Sequence, residues 1–460
     1  MKSLRFAIIG AGSVSFCPAT VADLLLSPVL RDVEPLSIRL MDIAPDALEA
    51  SRRYTEAAAA KLGRPIDLLA TTDLATALEG ADFVVTAIEV ERYHYWSMDF
   101  HIPRKYGFRQ VYGENGGPGG MFHFLRNAGP MLHIARTMER VCPDAWLLNY
   151  TNPEAKLVEA IAKLTKVKVV GLCHGEQMGL DQLERFLPVP RADILAKACG
   201  LNHFGWFTSI TRRSTCEDLY PLLRAQEAKA DWLAEWDEFA LSRLLFRLYG
   251  LYPYPGANHI GEYFAWSDGY LASALIQYFH DPLVEKIWET RRTPDFVYNF
   301  SGNPTHRPLF PDKPPFSGDP GFFEASFDAG RELRPSNEYG IRIAEAIAFD
   351  RPMYIGAVNV RNDGFVPNLL PGMTVEIPAN VDGRGIHPES TPALPTGAAA
   401  MINLQGSIHD LLIQAYAEGS RRKLLQALLL DPTVSTYSNA IALIDEMFER
   451  QAALLPKMTW

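Results

Sequence analysis

Short apolar runs alternate with longer amphipathic stretches through the first two hundred residues. Runs of four to six β-formers, each followed by helical periodicity, are the pattern of parallel strands covered by helices. The predicted strands are 5–9, 37–41, 67–70, 83–88, 145–149 and 167–172. The predicted helices between and after them are 15–26, 45–61, 73–78, 125–142, 153–165 and 176–186. Beyond Cys199 the rhythm changes. Long helical patterns dominate at 225–248, 338–349, 406–430 and 434–455, with strand-like pieces at 204–210 and 374–377. A Pro-rich stretch, 303–320, contains Phe310 and Phe316 and reads as an ordered loop. The expected fold is α/β: a Rossmann-like doubly wound sheet over residues 1–197, then a larger, mainly helical α+β domain over 198–460.

Composition narrows the class. With 48% apolar and 21% charged residues, the chain is an ordinary globular one, neither disordered nor fibrous. At 460 residues it has room for about three domain-sized units or two large layered ones. A net charge of −10 argues against a nucleic-acid or membrane-surface partner. Five irregularly spaced cysteines suggest a reduced compartment without a disulfide framework. No apolar run approaches the roughly 20 residues of a membrane span. The four apolar residues Phe6–Ile9 are too short for a signal-peptide core. A cytoplasmic location is expected.

Two groups of residues carry candidate chemistry. Gly10-Ala11-Gly12-Ser13-Val14-Ser15 lies between the first strand and the first helix. Gly10 allows a tight turn, Gly12 lets backbone approach a pyrophosphate, and the amides around Ser13 and Val14 face the anion. Ser15 stands where the usual third glycine would be. Asp42 ends the next strand, where a carboxylate accepts from the ribose hydroxyls of NAD and repels the extra phosphate of NADP. Its separation from Gly12 exceeds the usual spacing of about twenty, and the loop 27–35 accounts for the excess. Asp42 also reads as a helix cap before Pro45. The second group lies at later strand ends, where ligands of a doubly wound sheet bind: Asn149–Glu154, Cys173-His174-Gly175 and Asn202-His203. A Cys173/His203 pair suits a metal, and ligand softness alone would favour zinc over manganese.

Several colinear segments resemble the glycoside hydrolase family 4 enzymes. These are Ile8–Val14, Asp99–Gly107, Gly117-Pro118-Gly119-Gly120, Asn149–Pro153, Cys173-His174-Gly175, Asn202-His203, His259–Tyr263, Asn362-Asp363-Gly364, Pro367-Asn368-Leu369 and Ala427–Pro432. The resemblance implies glycoside hydrolysis with NAD+ and a divalent metal, usually Mn2+ rather than zinc, outside the two-carboxylate scheme of most glycosidases. In that family NAD+ takes hydride from C3 of the sugar, a base removes the acidified C2 proton, and the aglycone leaves by elimination. Water then adds, and NADH returns the hydride. Cys173 and His203 match the metal ligands, and Asn152 matches an asparagine beside the sugar. Asn202 lies in the same substrate region. His174 follows the metal cysteine, where some members place the acid that assists the leaving group, and an imidazole can donate there. For the base, His259 comes first, with Tyr252 and Tyr254 next. Phosphoglycosidases carry a tyrosine where His259 aligns, and neutral-sugar members carry an aspartate where this chain has Ala257.

The His174-Gly175 pair resembles the uronide-cleaving members of the family, α-glucuronidases and α-galacturonidases. The expected substrate is therefore an α-linked uronic acid glycoside, with α-glucosides or α-galactosides as the neutral alternative. Its carboxylate needs a cationic partner, ideally an arginine fork. Arg104, Arg307 and Arg361 are the candidates. The family's dimers and tetramers imply a homo-oligomer. Two rival readings remain: a hydroxy acid dehydrogenase that releases NADH, and a non-catalytic protein that senses NAD.

Overall fold

The structure, a computed structural model, describes residues 3–229, 239–267 and 327–460. Eleven strands form one sheet among the described residues. They are β1 (Leu4–Ile9), β2 (Leu36–Met41), β3 (Asp67–Thr71), β4 (Phe83–Thr86), β5 (Trp146–Asn149), β6 (Lys168–Gly171), β7 (Ile194–Leu201), β8 (Phe204–Arg212), β9 (Met353–Arg361), β10 (Thr374–Asp382) and β11 (Gly385–Pro388). Their order is β3-β2-β1-β4-β5-β6-β9-β10-β7-β8, with β11 on β10. The first six pair in parallel, the order of a doubly wound nucleotide-binding sheet. From β9 onward every pairing is antiparallel.

Alternation along each strand explains why helices cover both faces. On β1, Ala7 and Ile9 pack with the helices Gly117–Val141, Thr396–Glu418, Arg421–Leu430 and Tyr437–Arg450. Phe6 and Ile8 point the other way, into a core with the helices Phe16–Leu26, Pro45–Lys61 and Gly340–Phe349. Both faces are buried, so these strands read as continuous apolar runs. The antiparallel half repeats the scheme, with Leu201, Phe204 and Trp206 in one core and Ala196, Phe207 and Ile210 in the other.

Several elements differ from their sequence expectation. The single predicted helix 406–430 is two, Thr396–Glu418 and Arg421–Leu430. Gly419 ends the first at φ 63°, and the Ser420 hydroxyl caps the second by accepting from Lys423 N. The helix Gly117–Val141 begins eight residues before its predicted start, and the helix Arg92–Lys105 and strands β7, β9 and β11 were not anticipated. The pattern at 225–248 resolves into the helices Tyr220–Glu227 and Ala240–Tyr249, with 230–238 outside the described residues. The Pro-rich stretch 303–320, with Phe310 and Phe316, also lies outside them. Position 198, where the second domain was expected to start, falls inside β7. The second half therefore adds strands to the first half's sheet as well as helices. Among the described residues no helix is long and apolar enough to cross a membrane.

Candidate active site

The carboxyl ends of β1, β4, β5 and β6 and the β7–β8 turn supply the candidate residues. At β1 the chain turns at Gly10, whose φ of 87° and lack of side chain are both required: a Cβ there would lie 2.3 Å from Ala87 O. A Cβ on Gly12 would meet the Asp42 carboxylate and Ala47. The Gly12 N–H donates to Asp42 Oδ2 (2.7 Å) and Ala44 N–H to Asp42 Oδ1 (2.9 Å). Asp42 thus braces the glycine turn and the loop before Pro45 together. A carboxylate has lone pairs to spare for ribose hydroxyls beyond these two bonds. Ser13 N–H donates to Gly10 O, and Ser13 Oγ accepts from Phe16 N at the helix start. Val14 and Ile43 remain exposed beside this turn, an apolar flank next to a cradle that only glycine leaves open.

The second group assembles from β6 and the β7–β8 turn. Cys173 follows β6 at the N-terminus of the helix Gly175–Phe186, where Gly175 N–H points at Sγ (3.3 Å). His203 sits in the two-residue turn joining β7 to β8 at φ 64°. A non-glycine residue in that conformation costs about 1–2 kcal/mol, which marks positions held for function. Cys173 Sγ and His203 Nε2 are 3.5 Å apart. Two donors bound to one ion at about 2.1–2.3 Å are separated by about this distance at ordinary coordination angles. The chemistry of the donor set therefore fits a divalent metal. On its other ring nitrogen, His203 lies 2.9 Å from the Asn115 side-chain amide, the kind of outer contact that fixes a ligand imidazole.

His259 stacks edge-on to His203 with ring centroids 4.0 Å apart, its Nδ1 2.8 Å from His203 Nδ1. Glu114 completes a third side: its carboxylate and the two imidazoles have ligand atoms within 4.8 Å of one another. Arg92 holds Glu114 at 2.5 Å, and Glu262 accepts the Glu114 and Asn115 amides at 2.6 and 3.0 Å. Burial pushes Glu114 up, but the Arg92 guanidinium together with the His259 and His123 imidazoles outweighs it and keeps the carboxyl below its usual range. Burial lowers His259 to about 4 and His203 well below its ordinary value. Glu262, with little besides amides to offset desolvation, rises to about 8.

Other candidates take distinct places. His174 is half exposed, 3.7 Å from Glu338. Desolvation works against its imidazolium, yet that carboxylate outweighs it and raises the pKa. Asn152 is half-buried in the turn after β5, its backbone carbonyl bound by Asn127 (2.8 Å). Asn202 is buried, its amide on Glu376 (3.3 Å) and its Oδ1 without a partner. Tyr254 is fully buried, and its hydroxyl donates to Glu376 (2.5 Å). The Tyr252 hydroxyl donates to Gln182 (2.9 Å). Both phenols are thus tied to interior acceptors, whereas His259 contacts His203. Arg104 donates to Gln110 O (2.9 Å) at the last turn of the helix whose first residue, Arg92, faces Glu114. Twelve residues along a helix are about 18 Å, so Arg104 stands well away from the histidines. Arg361 pairs with Asp363 (3.0 Å) in the open, and Arg307 lies outside the described residues. Sequence reasoning missed Glu114, Arg92, Asn115 and Glu262. Glu114 adjoins the Gly117–Gly120 segment and Glu262 lies within His259–Tyr263, the signals that could have drawn them in.

Comparison with known proteins gives the geometry a context. The family model described as family 4 glycosyl hydrolase matches residues 5–189, and that of the family 4 glycosyl hydrolase C-terminal domain matches 198–434. An alpha-glucosidase of Erwinia rhapontici is 32% identical over 466 residues, covering 97% of this chain and 98% of its own. An alpha-galacturonidase of Thermoanaerobacter italicus is 25% identical over 472 residues, covering 98% and 96%. The crystal structure of a 6-phospho-alpha-glucosidase from gut microorganisms, in complex with NAD and Mn2+, superposes with a TM-score of 0.77 over the full length of both chains at 20% identity.

Proposed function

The chain belongs to family 4 of the glycosyl hydrolases, and from that premise we propose that it cleaves α-linked uronic acid glycosides using NAD and a divalent ion, Mn2+ in the first instance. The observation that carries the chemistry is the Cys173–His203 pair, 3.5 Å apart at the same sheet edge as the Gly10–Val14 turn. Bound NAD supplies reversible hydride acceptance at C3, and the ion stabilises negative charge on the C2 and C3 oxygens.

The chain's own residues do the rest. Gly10, Gly12, Ser13 and Val14 receive the pyrophosphate at the start of the helix Phe16–Leu26, and Asp42 binds the ribose. Cys173 and His203 hold the ion, and Asn152 and Asn202 orient the sugar hydroxyls. His259, unprotonated at neutral pH because burial lowers it, accepts the C2 proton. His174 keeps its proton to higher pH through Glu338 and donates it to the departing aglycone oxygen. The uronide class rests on the His174-Gly175 pair and on the alpha-galacturonidase relative. A neutral α-glucoside is the second reading, favoured by the 32% identity to an alpha-glucosidase.

One experiment tests both levels. The protein is assayed with NAD+, Mn2+ and reductant on aryl α-glucuronide, α-galacturonide, α-glucoside, α-galactoside and 6-phosphoglycosides, with the best substrate repeated in D2O. The expected result is uronide preference and deuterium at C2 of the product. Product with only hydrogen at C2 would sink the redox-elimination chemistry, and preference for a neutral or phosphorylated sugar would sink the substrate class.

A further inference from the structure

A uronide site needs a cation for the sugar carboxylate, and sequence reasoning placed that role on arginines that the structure puts elsewhere or does not describe. We propose that Arg92 is the carboxylate anchor, an inference that rests on the uronide reading above. Arg92 opens the helix Arg92–Lys105 just after β4, at the ligand-binding edge of the sheet. Its guanidinium lies 4.7 Å over the Trp96 ring, a cation–π contact that fixes its plane.

The donor inventory shows why it is available. Arginine presents five N–H donors. Arg92 spends one short bond on Glu114, through Nη2 (2.5 Å). Its Nη1 is 3.9 Å from Glu89, beyond hydrogen-bond distance, and its side chain is 34% exposed. Glu89 is meanwhile drawn to His123 at 2.6 Å. Two other cations among the described residues are committed. Lys156 is buried with its ammonium on Asn115 O, and Arg104 is bound at the far end of the helix.

Position completes the case. Glu114 bridges Arg92 to the His203–His259 pair, so the guanidinium stands one carboxylate beyond the metal-side imidazoles. A pyranose held through its C2 and C3 oxygens carries its C6 group across the ring from them. A sugar seated this way would bring its C6 carboxylate to the remaining Arg92 donors, which lie beyond Glu114 from the imidazoles. Glu114 orients the guanidinium and offsets part of its charge, yet a carboxylate still forms with it a charge-assisted pair that an uncharged C6 hydroxyl does not.

The test compares wild type, Arg92→Gln and Arg92→Lys on an aryl α-uronide and the matching aryl α-glycoside, with NAD titration confirming that each variant is folded. Losing a charge-assisted hydrogen bond is worth about tenfold to a hundredfold. We expect Arg92→Gln to lower the uronide-to-neutral ratio of kcat/KM by that factor, chiefly through KM. Arg92→Lys, which keeps the charge without the fork, should recover part of it. Free glucuronate or galacturonate should inhibit Arg92→Gln more weakly than the wild type, read as a larger competitive inhibition constant. A wild type that prefers uronides while Arg92→Gln loses both substrates equally would overturn the assignment, leaving Arg92 as a brace for Glu114. A wild type that prefers the neutral sugar would overturn the uronide reading itself, and this inference with it.

Discussion

The Cys173 thiol must lose its proton before it can bind a cation. Burial, reinforced by the nearby Glu376 carboxylate, raises its pKa well above the ordinary value, while the Gly175 amide on Sγ works the other way. The metal-free protein therefore holds Cys173 protonated at neutral pH, and ion uptake should release about one proton. Calorimetry of Mn2+ binding in two buffers of different ionisation enthalpy reads that proton directly. Cys173→Ser should abolish the release and weaken Mn2+ binding about tenfold or more, because a serine hydroxyl does not ionise in this range. Undiminished binding with the same proton release would remove Cys173 from the ligand set. Cys173, His203 and His259 come from three distant segments without tight ligand spacing: their place at polar strand ends pointed to the first two, and only the resemblance of whole motifs to His259. Arg92 gave no such signal, and Glu114 and Glu262 lay beside or within resembling segments without any role assigned, since a polar residue earns a role only through what the fold places beside it. Tyr254 shows the converse. Its place against Glu376 depends on Gly205, where a Cβ would lie 2.5 Å from its hydroxyl, and no local pattern reveals that fit.

At the scale of elements, one rung of the sheet explains how polar groups come to lie inside it. Gly171 of β6 pairs with Asn359 of β9, which pairs with Glu376 of β10, which pairs with Gly200 of β7. A Cβ on Gly171 would lie 1.2 Å from Glu154 Oε1, so the Glu154 carboxyl occupies the space a side chain at 171 would need. Glu154 is 1% exposed, and neither carboxyl oxygen has a partner. Gly171→Ala should destabilise by about 1–3 kcal/mol through overpacking. Removing the carboxyl with Glu154→Ala frees that volume, so the double variant should lose less than the two single losses together, by about 0.5–3 kcal/mol. Urea midpoints of the four proteins measure the coupling. Strict additivity would mean the two side chains do not compete for one space. The parallel strands were legible because each apolar run ends at a glycine or polar turn. The helix Arg92–Lys105 was not: Tyr95, Trp96, Ser97, Met98, Asp99, Phe100 and Ile102 are all buried, so it lacks the polar face on which periodicity depends.

For the whole molecule, one sheet joins the two matched halves, and the core that contains Ala7 and Ile9 of β1 also contains Ile408, Leu424 and Leu443 from the last three helices. Strain or charge buried in either half is therefore felt by a common core, and a buried carboxyl should show in the stability of the chain as a unit. Glu176 provides the clearest case. It lies in the first turn of the helix Gly175–Phe186, where the helix dipole favours its ionised form. Burial nevertheless raises it from 4.5 to about 7, against the lowering effect of Tyr339 and Gln177. A carboxyl that binds its proton more tightly when folded contributes stability that is complete below its unfolded pKa and lost as pH rises through the folded one. The loss from Glu176 should thus accumulate between about pH 4.5 and 7, with an upper size of roughly 3 kcal/mol. Glu176→Gln keeps the neutral shape without the ionisation, so its urea midpoint should gain on the wild type from pH 5 to about pH 7 and level off above that. Parallel midpoint curves across that range would show that Glu176 ionises within the fold without cost.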